Sequence, residues 1–230
     1  MSGLGIGIPK KKFSWSYSKL KNFLTCAYRY KAIDVDKRYK EDFSGEALAW
    51  GKQVHTAFEE RIRDGKPFPV GMEYFEPAAL RLLAVPGKIM VEQQLCIKAD
   101  LSPTAWNDWT NGWFRAIADY LAISDKVALA IDYKTGKVIE DPIQLSLLGE
   151  CIFAHYPEVQ AVRCEYWWLK DDAVTREVYY RTRRQDTWKK VFPDLIKLRT
   201  AHDTGAFPPT PGGLCKKWCI VKDCPHHGKG

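Results

Sequence analysis

The sequence predicts an α/β fold: a mixed central β-sheet with helices packed on it. Two observations carry this. Segments of alternating or β-branched character, such as "KIMVEQQLCIKA", "KVALAIDYK" and "AVRCEYWWL", are interspersed with segments whose apolar residues recur at helical spacing. The 230 residues are 46% hydrophobic, enough for one large domain, or a domain with a small appendage, built on a real core.

Residues 1–15 read as a flexible tail containing "PKKKF", residues 16–205 as the core, and residues 206–230 as a Cys-rich segment packed on it. From Ser16 to about Lys31, Leu20, Phe23, Leu24 and Ala27 recur as on one helix, with Ser16 able to cap it. "GEALAWGKQVHTAFEERIRDG" predicts a second helix with the stripe Ala47, Trp50, Val54, Phe58 and Ile62, ended by Gly65. A third helix is expected over about 77–84. "KIMVEQQLCIKA" predicts a strand, followed by an aromatic-rich loop holding Trp106 and Trp109. "GWFRAIADYLAI" and "KVALAIDYK" predict a hairpin turning at Ser124-Asp125. "DPIQLSLLGECIFAHY" predicts a helix capped by Asp141 with Pro142 in its first position. "AVRCEYWWL" and "TREVYYRT" add two strands around "KDDA". A last helix, "QDTWKKVFPDLIKLRTAHDTG", must kink or break at Pro193.

Lys and Arg number 35 against 28 Asp and Glu, a net charge of +7. That balance suits an anionic partner, nucleic acid above all, and equally suits a mildly basic enzyme without one. No apolar run is long enough to cross a membrane, and the N-terminus lacks a secretory h-region, so a cytoplasmic protein is expected. Seven cysteines, an odd number, argue against a disulfide framework. Packing accounts for Cys96, Cys151 and Cys164.

Chemistry concentrates in "IADYLAISDKVALAIDYKTG", residues 117–136. Asp132 and Lys134, two apart on a strand, share a face. A turn at Ser124-Asp125 sets Asp119 opposite Ala130, which puts Asp119 on that same face; a change of one residue in turn length would reverse it. Two neighbouring carboxylates repel unless a cation lies between them, and Mg²⁺ or Mn²⁺ is the natural occupant. A lysine beside them suits phosphodiester chemistry. The competing account is a surface Asp–Lys pair of little consequence.

Asp119 followed by Asp132-Tyr133-Lys134-Thr135-Gly136 resembles the PD-(D/E)XK nuclease superfamily, and more closely its RecB-like branch. Three further segments resemble that branch in order: Ser18, Leu20, Cys26 and Tyr30 near the start, Gly51 and His55 in "WGKQVHTAFEE", and Gln144 in "IQLSLLGE". The resemblance implies a restriction-endonuclease-like core. It implies His55, Asp119, Asp132 and the Tyr133 backbone carbonyl as ligands of a divalent metal, with Glu92 a further carboxylate. Lys134, Asp119, Asp132 and Gln144 would be the catalytic set. The chain departs from the pattern at Leu148, where a tyrosine is frequent, and at Ala27, where a proline is usual.

"CKKWCIVKDCPHH" brings Cys215, Cys219 and Cys224 close in sequence. With Cys26 as fourth ligand this resembles the iron–sulfur members of the branch, such as the AddB nuclease domain and the CRISPR adaptation exonucleases. There a [4Fe–4S] cluster staples the tail to the N-terminal helix. The spacing here is C-x3-C-x4-C, against the usual C-x2-C-x5-C. Zn²⁺ on four thiolates, or on three with His226 or His227, is the alternative, and unliganded cysteines the third.

Trp106, Trp109 and the basic runs "KKK" (10–12) and "RTRR" (181–184) are candidates for contacting DNA, whereas Trp113 is expected in the core. The sequence therefore reads as a metal-dependent DNA exonuclease that acts on ends and prefers or tolerates single strands. It would serve recombination, repair, phage or CRISPR-related processing. No nucleotide-binding loop of the G-x-x-x-x-G-K-[ST] type is present, so unwinding would need a helicase or recombination partner. The other classes open are a non-catalytic DNA-binding or assembly subunit, and a nuclease for RNA or branched DNA.

Overall fold

The computed structural model describes residues 13–40, 45–139 and 141–229. In chain order the helices are α1 (Tyr17–Thr25), α2 (Ala27–Tyr30), α3 (Glu46–Asp64), α4 (Glu76–Leu83), α5 (Pro142–His155), α6 (Arg184–Thr204) and α7 (Leu214–Lys217). The strands are β1 (Lys88–Ile97), β2 (Pro103–Thr104), β3 (Phe114–Ser124), β4 (Val127–Lys134), β5 (Ala161–Trp168) and β6 (Ala173–Tyr180). They form one mixed six-stranded sheet, ordered β2-β1-β3-β4-β5-β6, in which only β4 and β5 run parallel. The predicted α/β class holds, in the form of a restriction-endonuclease-like fold.

Helices cover both faces. One core gathers α1, α5 and α6 against Leu95, Ile97, Leu121, Ala130 and Val162. The other gathers Val54, Phe58 and Ile62 of α3 and Ala79 and Leu82 of α4 against Tyr120, Ile131 and Tyr133. Every residue of α5 from Leu145 to Phe153 is buried, as a helix lying between the sheet and α6 must be.

Several expectations need correction. The first helix does not run unbroken to Lys31: Cys26 is extended (φ −164°), α2 follows, and Lys31–Val35 forms a π-helical turn. Burial begins before residue 16, because Trp15 is buried and bridges to Phe114. Ala47 and Trp50 stay exposed, since the second core reaches α3 only from Val54 onward. Asp141 occupies the cap position of α5, but its carboxylate turns to Tyr17 and Lys21 instead of capping. Of the two outcomes expected at Pro193, the break does not occur: α6 runs on through it.

The β3–β4 turn is Asp125-Lys126, with Asp125 left-handed (φ +51°), one residue later than expected. Leu121, rather than Asp119, therefore faces Ala130. Because the two-residue length is kept, the pairing slides by two positions and no side chain changes face.

Candidate active site

The site is built from a kink in the sheet. In β1, Leu95 and Ile97 enter the first core, while Ile89 and Val91, also odd-numbered, pack against the second. In β3, Ala116 and Ala118 pack with the first core, whereas Tyr120 and Ala122 belong to the second. The reversal occurs at Glu92, whose φ of +48° is left-handed, a conformation uncommon outside glycine and costly to hold. Flanking pairs Val91↔Tyr120 and Gln93↔Ala118 set Glu92 across from Asp119. Carrying the β3–β4 register one step beyond Tyr120↔Ile131 sets Asp119 across from Asp132. Three carboxylates thus occupy one row over three adjacent strands.

From α3, His55 reaches this row: Nδ1 lies 3.4 Å from Asp119 Oδ1, and Nε2 lies 3.1 Å from the Tyr133 carbonyl oxygen. His55, Glu92 and Asp119 each offer a ligand atom within 4.8 Å of the other two. The second Asp119 oxygen accepts the Tyr133 backbone N–H at 2.6 Å. Burial alone would lower the His55 pKa, but the Asp119, Asp132 and Glu92 carboxylates outweigh it and raise it. Burial and then Asp119 push the Glu92 carboxyl up to about 7. Burial, followed by Asp119, lifts Asp132 to about 6, against the opposing pull of Lys134. Acids that retain protons because they are buried, and because they also crowd together, fit a divalent cation, which offsets both penalties.

Asp132 is engaged on its other side. Gln144 Nε2 donates to Oδ1 at 2.9 Å, and Lys134 Nζ stands 2.5 Å from Oδ2, an ion pair without an aligned hydrogen bond. Of the sequence-predicted ligands, His55, Asp119 and the Tyr133 carbonyl meet directly. The tight cluster includes Glu92 in place of Asp132, which faces Lys134 and Gln144. Tyr166 was not singled out by the sequence. It pairs with Asp132 across β4–β5 and touches both Gln144 and Lys134, a relationship visible only after the parallel register is formed. Leu148 is buried in the first core.

Gly51, one turn before His55, leaves room for Thr135, and a cleft of about 440 Å³ is lined by Leu48, Gly51, Lys52, His55, Glu92 and Thr135 among others.

The cysteines meet elsewhere. Cys26, Cys215, Cys219, Cys224 and His226 line one pocket of about 280 Å³. Thr210 N–H donates to Cys26 Sγ at 3.4 Å, and an Arg38–Asp223 ion pair ties the tail to the segment after α2. Among the described residues, no three of these sulfurs lie within 4.8 Å of one another. A single Zn²⁺, with Zn–S of about 2.3 Å, would draw four thiolates to within about 4 Å of each other. Cys96, Cys151 and Cys164 are buried, as packing predicts.

Of the DNA-contact candidates, "KKK" lies outside the described residues. In "RTRR", Arg181 donates to the Phe153, Tyr156 and Val159 carbonyls at the end of α5. Arg183 pairs with Asp186, and Arg184 with buried Glu150. Arg115 stacks over Trp109 at 4.5 Å, leaving that ring largely exposed. Trp113 is half-buried against Trp15 and Trp188. Among the described residues, no helix is long and apolar enough to cross a membrane.

Comparison with known proteins bears on the fold and on the first third of the chain. Residues 14–85 match the family model of the PD-(D/E)XK nuclease superfamily; the match includes His55 and stops short of the acids. No curated protein matches the chain in sequence. A solved structure from Eubacterium rectale, named "Putative exonuclease", is similar over 88% of this chain and 85% of its own, with 13% identity and a TM-score of 0.51. A second, the protein SSO0001, is similar over 94% of this chain and 87% of its own, at 14% identity and a TM-score of 0.48. Residues 14–85, about a third of the chain, thus resemble the PD-(D/E)XK nuclease superfamily model, and the fold resembles that of the Eubacterium rectale structure.

Proposed function

We propose that this chain is a divalent-metal-dependent DNA nuclease of the RecB-like kind, an exonuclease acting on DNA ends that prefers or tolerates single strands. One observation carries the reading: His55, Glu92 and Asp119 converge on a common point, with Asp132 and Lys134 beside it. In this reading His55, Glu92, Asp119 and the Tyr133 carbonyl hold Mg²⁺ or Mn²⁺, and Asp132 completes the negative field. When bound, the metal activates water and neutralises charge on the phosphate. Lys134, held by Asp132, donates to the phosphate as its charge grows. Gln144 keeps the Asp132 carboxylate turned toward Lys134. A helicase or recombination partner supplies unwound ends.

The four-cysteine pocket takes a [4Fe–4S] cluster in this reading, supported by Cys26, Cys215, Cys219 and Cys224 lining one pocket of about 280 Å³, with Zn²⁺ as the alternative. Its role is structural: it joins Cys26, between α1 and α2, to the tail.

End-labelled single-stranded, duplex and branched DNA, and RNA, incubated with Mg²⁺, Mn²⁺ or EDTA, test the reading. Metal-dependent shortening of DNA from its ends, abolished by Asp119→Ala and Lys134→Ala while binding persists, is expected. Binding without cleavage by the wild type would instead indicate an assembly subunit, and preferential cleavage of RNA or branched DNA would change the substrate class.

A further inference from the structure

Tyr166 lies in β5 directly opposite Asp132, with only 1% of its surface exposed. Its hydroxyl donates to the Asp141 carbonyl at 2.9 Å and to Gln144 Oε1 at 3.2 Å, one proton shared by two acceptors. Its ring lies under the Lys134 ammonium, with Nζ 5.0 Å from the centroid, within reach of a cation–π attraction. Two functional side chains thus rest on one aromatic residue. The donor-only Lys134 ammonium and the Asp132 carboxylate set the sense of the Gln144 amide, with Nε2 toward Asp132, and the Tyr166 hydroxyl adds a second donor to the Oε1 so presented.

We propose that Tyr166 is a positioning residue of the reaction centre. It holds the Gln144 amide through its hydroxyl and the Lys134 ammonium through its ring, so both meet Asp132 in one geometry. The inference rests on the nuclease reading above. Asp141 extends the arrangement: its carbonyl anchors the Tyr166 hydroxyl, while its carboxylate is held by Tyr17 and by Lys21 at 2.8 Å. The platform is therefore braced from α1, outside the sheet. A rigid support of this kind lowers the cost of assembling the reactive geometry and adds little to substrate affinity.

Two substitutions separate the contributions. Tyr166→Phe keeps the ring and the packing but removes the hydroxyl; Tyr166→Leu removes both. With DNA as substrate and Mn²⁺ as metal, Tyr166→Phe is expected to lower kcat about tenfold, the worth of one hydrogen bond, with KM and the thermal midpoint nearly unchanged. Tyr166→Leu should lower kcat further.

The decisive comparison is a double-mutant cycle with Gln144→Ala. If Tyr166 acts through Gln144, adding Tyr166→Phe to Gln144→Ala costs no further kcat; independent, multiplying losses would overturn the proposal. The same cycle, read by urea unfolding, tests the contact without any activity, and additive stability losses would overturn it as well. A wild type that cleaves no nucleic acid would sink the nuclease reading and with it the positioning role, while unfolding coupling would still report the contact itself.

Discussion

Gly51 and Thr135 meet so closely that a Cβ on Gly51 would lie 2.9 Å from Thr135 Oγ1. The glycine lets α3 lie against the end of β4, and His55 on the next turn thereby reaches Asp119 and the Tyr133 carbonyl. A methyl group there forces Thr135 or the helix to move. Gly51→Ala is expected to weaken Mn²⁺ binding by several-fold, measured by titration calorimetry. Its thermal midpoint should change little, because the gain in helix propensity of about 1 kcal/mol offsets the crowding. Thr135→Ala in the same chain should restore the affinity, and failure to do so would show that the contact does not set the position of His55.

Metal-free protein should be less stable at pH 8 than at pH 5. Glu92 is raised to about 7 and Asp132 to about 6, and His55 is raised too. An acid whose pKa is higher folded than unfolded favours the folded state at low pH and loses that contribution as pH rises through its folded value. His55 acts with the same sign, because the folded state again holds the proton more tightly. Thermal melts in EDTA should therefore fall between about pH 5 and 8, and Asp132→Asn should flatten the fall. A rising midpoint over that range would contradict the crowding of the acids.

Glu150, almost wholly buried, relies on Arg184 Nε and the Trp188 indole N–H, each 2.8 Å from Oε2. Arg184→Ala leaves a buried carboxylate with its cation gone and should cost about 3 kcal/mol in urea unfolding. The cost should shrink when Glu150→Gln is added, since the charge that needed a partner has been removed.

Protein purified without oxygen should carry iron and sulfide in a ratio that matches one [4Fe–4S] cluster, with visible absorption. Cys219→Ser should lose both and melt at lower temperature, because the tail is then freed from Cys26. Stoichiometric zinc without iron would replace the cluster with the alternative site.

The chemistry that the sequence suggests rests on residue identity and local spacing. Asp132 and Lys134 share a face under any register, since strand side chains alternate with a period of two. Asp119 kept that face although the turn was misplaced, because a two-residue turn slid by one position preserves parity. His55, Gln144 and Cys26 entered as parts of an ordered resemblance, and Cys215, Cys219 and Cys224 through their closeness in sequence.

What tertiary structure alone decided is which of these groups touch. Glu92 entered the sequence reading only as a further carboxylate implied by the resemblance; the left-handed kink is what sets it beside Asp119 and His55. Asp132 contacts Lys134 and Gln144 as well as standing next to Asp119 in the row, a pair of partners that only the folded chain supplies. Tyr166 stands more than thirty residues from Lys134 in the chain and beside it only through the parallel β4–β5 pairing. The basic run at 181–184 resembled a phosphate track, yet the end of α5 and the buried Glu150 claim Arg181 and Arg184. The reason is the same in each case: local pattern sets which face a side chain takes, whereas long-range register and burial set which partner it meets.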